Sequence, residues 1–124
     1  MIDNMLDAML LVDAMNRTLP LMASASPELA AVMRKQSPGC ELPRKWQVTE
    51  VYYADDPGGI MCRLDAGSDS DFGSFVVSIT HLLFDRAQPL VGDIARYQKR
   101  RLKGLRKIGV PKMRLLQEKG RQQE

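Results

Sequence analysis

Few residues in this chain could carry chemistry, and their spacing fits no known catalytic arrangement. The single histidine, His81, sits in an apolar run and alternates with Phe75, Val77, Ile79 and Leu83. A catalytic imidazole needs a nucleophile or an orienting carboxylate within hydrogen-bond reach, and none is recognisable nearby. A structural histidine is therefore expected. Cys40 and Cys62 show neither CxxC nor any paired-ligand spacing, which predicts two reduced thiols in a cytoplasmic protein, with Cys62 facing the core. The acidic loop 65–73 has the acid density of a calcium loop but not its spacing. Counted from Asp69, Gly73 and Thr80 stand where an EF-hand needs an oxygen ligand and a glutamate. No G-x-S-x-G, HExxH, Walker or Rossmann glycine pattern occurs. Neither a cofactor nor a metal is expected. An enzyme with a pocket near His81 and the 65–73 loop remains the alternative to a binding role.

The strongest functional signal is charge. From Arg96 onward there are eleven Lys and Arg against two acids, a net of +9, so that residues 1–95 carry −6 of the overall +3. Arg96, Lys99, Arg100, Lys103, Arg106 and Lys107 recur at helical spacing on one side, with no interleaved glutamate to form i,i+4 pairs. Such a face can lie along phosphates and release their counterions. It can equally be the solvated side of an amphipathic helix that balances an acidic body. The expectation is a small binding or regulatory module that engages a nucleic acid or an acidic protein surface. Arg101 stands apart, because its position falls in the apolar arc of the same helix. There it can either snorkel past Tyr97 or pair with a carboxylate of the body.

The elements that must present this face follow from periodicity and punctuation. Residues 2–18 read as a helix with Ile2, Met5, Leu6, Met9, Val12 and Leu19 on a wide apolar side and Asp3, Asp7, Ala14 and Arg17 opposite. Ser26-Pro27-Glu28 supplies an N-cap, a proline at the first helical position and an acid in the first turn of a second helix, over 27–36. The two are expected to form a helical hairpin. Aromatic and β-branched residues over 46–53, the turn chemistry of Asp55-Asp56-Pro57-Gly58-Gly59 and the alternation of Ile60, Cys62 and Leu64 predict a β-hairpin. Residues 74–84 predict one long strand, apolar on both faces, at a sheet edge. A long amphipathic helix over 90–108 closes the pattern.

The fold class expected is thus α+β, in the order α-α-β-β-β-α: a helical hairpin, a three-stranded antiparallel sheet and a long C-terminal helix. Residues 1–109 form one domain and 110–124 a basic tail. The acids Asp3 and Asp7 stand where a secretory signal needs basic residues, and no apolar run approaches a membrane span. Cytoplasmic localisation is expected, with no membrane partner. The surplus apolar surface of the first helix and the 74–84 strand further predicts a homodimer.

Overall fold

The computed structural model describes residues 3–39, 41–66 and 74–107. A curled five-stranded antiparallel sheet shares one core with helices, so the protein is α+β. In chain order the elements are helix α1 (Met5–Asn16), strand β1 (Leu21–Ala25), helix α2 (Pro27–Gln36), strand β2 (Trp46–Tyr53), the single turn α3 (Asp55–Gly58), strand β3 (Ile60–Asp65), strand β4 (Ser74–Ser78), a 3-10 turn (Ile79–His81), strand β5 (Leu82–Phe84) and helix α4 (Val91–Lys107). The basic tail expected over 110–124, most of the 65–73 acidic loop and Cys40 lie outside the described residues.

Local signals form α2, β2, β3 and α4 much as expected. Asn4 and Ser26 cap α1 and α2 by accepting the backbone N–H three residues on, satisfying one of the unpaired donors at each helix start. The core joins Trp46, Val48, Val51, Ile60, Cys62, Leu64 and Val77 of the sheet to Met15, Leu29, Met33 and Ile94 of the helices. Phe75 meets the Trp46 ring edge-on, with centroids 6.0 Å apart. Cys62 is buried in this core as a free thiol, and burial pushes its pKa up.

Three expectations are corrected. The helical hairpin is absent: residues 21–25, between the two expected helices, form β1, which pairs with both β2 and β5. Alanine and serine have little strand propensity of their own, but a strand paired on both sides is held by its neighbours' backbone groups. The sheet accordingly has five strands and not three, in the order β4-β3-β2-β1-β5.

The single strand over 74–84 is also broken. Ser78 Oγ accepts the N–H of Thr80 and lies 2.9 Å from the Thr80 hydroxyl, a local side-chain bond that competes with ladder pairing. The chain turns through Ile79, Thr80 and His81, so that β4 closes one edge of the sheet and β5 the other. Apolar residues on both faces of this segment therefore serve two strands on opposite edges of one curled sheet. His81 lies in the turn and not in a strand. It is buried, and its carbonyl accepts the N–H of Ser26.

The third correction concerns α1. Ala8 and Met15 are its buried residues, with Leu11 and Val12 packed against the core, whereas Met5, Leu6, Met9 and Leu10 point to solvent. Asp3, expected on the polar side, is buried.

Candidate polyanion-binding face

Helix α4 is positioned by its buried side. Ile94, Arg101 and Leu105 are its buried residues, and they cluster within about 40° of one another around the helix at 100° per residue. Arg101 supplies the polar part of the anchor. Its guanidinium donates to Asp3 Oδ2 at 2.9 Å, to the Asp56 carbonyl at 2.9 Å and to the Pro57 carbonyl at 2.7 Å. The last two acceptors belong to the one-turn helix α3, whose carbonyls have no continuing helix to bond. Of the two roles open to Arg101, pairing with a body carboxylate is the one it fills.

Asp3 gathers the rest of the cluster. The same Oδ2 accepts the Tyr97 hydroxyl at 2.7 Å and the Tyr53 hydroxyl at 3.2 Å, while the Asp3 N–H donates to Asp56 Oδ1 at 2.7 Å. Tyr97 Oη in turn accepts the Ile60 N–H at 3.1 Å. One carboxylate, one guanidinium and two phenols thereby tie the start of the chain, β2, the β2–β3 turn and α4 together. Burial, with the Asp3 carboxylate beside it, pushes Tyr53 up to about 12 and raises Tyr97 further above its ordinary range. Gly59 (φ +70°) completes the packing: a Cβ there would lie 2.5 Å from Arg101 Cζ. A second anchor is Gln98, whose Nε2 donates to the Ile79 and Leu82 carbonyls at 2.7 and 2.8 Å. It fixes the middle of α4 to the turn that splits β4 from β5.

With the buried side fixed, the opposite side is presented to solvent. Arg96, Lys99, Arg100, Lys103, Arg106 and Lys107 are all exposed and fall within a 120° arc at about 100° per residue, roughly opposite Arg101 and Leu105. Arg96 pairs with Asp93 one turn before it, and Arg100 approaches Asp7 of α1 at 3.4 Å. Lys99, Lys103, Arg106 and Lys107 have no carboxylate within ion-pair distance among the described residues. Most of the excess charge is thus not consumed by the acidic body.

A groove of about 350 Å³ runs between α1 and α4, lined by Asp7, Leu10, Leu11 and Ala14 on one side and Asp93, Arg96, Tyr97 and Arg100 on the other. His81 does not line it. Among the described residues no three His, Cys, Asp or Glu converge on a metal-binding point, and no helix is long and apolar enough to cross a membrane.

The partners of Arg101 escaped the sequence reading. Asp3 and the carbonyls of Asp56 and Pro57 lie 98, 45 and 44 positions from Arg101, and only the misplaced arginine itself marked the cluster. No family model, curated protein or solved structure matches this chain.

Proposed function

We propose that the protein is a non-enzymatic binding module whose helix α4 lies along the phosphate backbone of a nucleic acid. The observation that carries this reading is the state of the cationic arc: four of its six side chains are exposed and, among the described residues, have no carboxylate partner, on a helix whose other side is anchored by a buried ion pair. A rigid row of charges loses little ordering entropy on binding beyond that of its side chains. From Arg96 to Lys107 the row extends about 16 Å, which at 3.4 Å per phosphate spans about five phosphates of one duplex strand. Tyr97 is engaged by Asp3 and Ile60 and is not free to stack on bases. Backbone contacts therefore dominate, and sequence preference is slight.

The test is retention on immobilised nucleic acid or heparin at two salt concentrations. Salt-sensitive retention of the wild-type chain is expected, and it should be abolished by Lys99→Glu/Lys103→Glu/Lys107→Glu with the circular dichroism spectrum unchanged. Absence of retention at low salt, or retention indifferent to the triple reversal, would overturn the proposal. Binding confined to an acidic protein surface would reassign the same face to a protein partner.

A further inference from the structure

We infer that Asp7 and Asp93 compete with phosphate for Arg100 and Arg96, and so limit the nucleic-acid footprint of α4 to the stretch from Lys99 to Lys107. This rests on the nucleic-acid reading of the same face and adds what restrains it. Within the cationic arc, Arg96 pairs with Asp93 and Arg100 approaches Asp7 at 3.4 Å. Lys99, Lys103, Arg106 and Lys107 have no carboxylate within ion-pair distance among the described residues. The masked cations therefore fall in the first half of the row, and the unmasked ones reach to its end. At 1.5 Å per residue the unmasked stretch is about 12 Å long, room for about 3 to 4 phosphates, against about 16 Å and five for the whole row.

An acid in the first turn of a helix is ordinary, since it meets the positive end of the helix dipole, and both acids stand in first turns. Their direction is a separate matter. Asp7 lines the α1–α4 groove from α1, while Asp93 lines it from α4 together with Arg96 and Arg100. A carboxylate placed there engages a guanidinium and also repels an incoming phosphate. Each pair is more than half exposed on both side chains, which makes it weak and exchangeable. The acids accordingly lower affinity by about 1.5- to 5-fold each. Asp93 sits one turn from its partner on α4 itself, whereas Asp7 is delivered to Arg100 by the packing of α1.

The test is anisotropy titration of a fluorescein-labelled duplex DNA of mixed sequence with the full chain, over a series of salt concentrations. Asp7→Asn/Asp93→Asn should bind about 2- to 25-fold more tightly than wild type, with the slope of log K against log salt steeper by about 1 to 2. A gain in affinity is not what a damaged fold would give. The matched control is Asp13→Asn/Glu50→Gln, which takes one acid from each of two other exposed pairs, Asp13–Arg17 and Glu50–Arg63. It changes the net charge equally but leaves the arc alone, and Asp13 lies about 120° around α1 from Asp7. At about 0.15 M salt such distant charges are screened, and affinity should stay within about 1.5-fold of wild type. An equal gain in the control would overturn the inference by making net charge the cause. Binding by wild type with no gain in Asp7→Asn/Asp93→Asn would overturn it too, while leaving the nucleic-acid reading in place. Absence of binding by every chain at low salt would remove that reading and the mask with it, whereas binding by Asp7→Asn/Asp93→Asn alone would support the mask in a stronger form.

Discussion

Arg101 and Asp3 meet at 2.9 Å across 98 positions of sequence, with their side chains 1 and 2% exposed. Every other contact of the cluster is arranged around this pair, and it sets which side of α4 faces water. A buried pair of this kind contributes little relative to a well-packed apolar substitute, but breaking it strands a charge.

Removing one partner should therefore cost far more than removing both. Asp3→Ala, which leaves the guanidinium buried without its carboxylate, is expected to destabilise by about 3–5 kcal/mol. Asp3→Leu/Arg101→Met should cost clearly less than the sum of its single changes, because no charge is left behind. Urea unfolding of the three variants measures the coupling. A loss below about 1 kcal/mol for Asp3→Ala would show that the pair is not closed to solvent.

Gly59 and Gly39 both adopt positive φ, +70° and +87°, but only Gly59 has a neighbour within 4 Å of an added Cβ. Gly39→Ala should cost about 1 kcal/mol for the left-handed backbone alone. Gly59→Ala carries that cost plus a collision with a guanidinium that three acceptors hold in place, and should exceed it by about 1–3 kcal/mol. Thermal unfolding of the pair of variants isolates the contact, and equal losses would count against it.

The tyrosines set an alkaline limit. In the unfolded chain a phenol loses its proton near the model-peptide value of about 10, whereas folded Tyr53 holds its proton up to about 12 and Tyr97 beyond its ordinary range as well. A pKa raised by folding contributes stability that is complete below the unfolded value and is lost as pH rises through the folded one. Stability should therefore fall from about pH 10 upward, and Tyr53→Phe should weaken this dependence. Ultraviolet titration of native and urea-unfolded protein tests it directly. Coincident phenol titrations in the two states would remove the basis for the effect.

Nucleic-acid affinity should fall log-linearly with salt. If four to six cations of the α4 arc neutralise phosphates, the slope of log K against log salt is expected between about −3.5 and −5.5 on duplex DNA. Lys103→Gln, at the middle of the row, should reduce the slope by about 1 and weaken all sequences alike. A slope near zero, or a loss confined to particular sequences, would point away from backbone contact.

Much of this architecture was legible locally. The Ser26 cap, the proline after it, the aromatic run of β2, the turn at 55–59 and the period of α4 each act over a few residues, and each element stands within a residue or two of its expected place. The six-cation arc was legible for the same reason, since helical spacing alone puts those residues on one side. Strand β1 was not, because Leu-Met-Ala-Ser-Ala has weak strand propensity and is held by β2 and β5, whose positions no local pattern reveals. The break at 78–81 was hidden as well. The β-branched residues Val76, Val77, Ile79 and Thr80 favour an extended chain, and only the Ser78–Thr80 bonds and the opposite edges available to β4 and β5 favour a turn.

The sequence by itself determined the α+β class, the α2, β2, β3 and α4 segments and the asymmetry of charge, because caps, turns, periodicity and composition are properties of neighbouring residues. Tertiary structure alone decided that Asp3 and Arg101 are buried, that Met5, Leu6, Met9 and Leu10 are exposed, and that one predicted strand serves both edges of the sheet. The physical reason is that burial depends on what packs against a face. A charge is stable inside only if a distant residue brings the opposite charge to it, and here that residue lies 98 positions away.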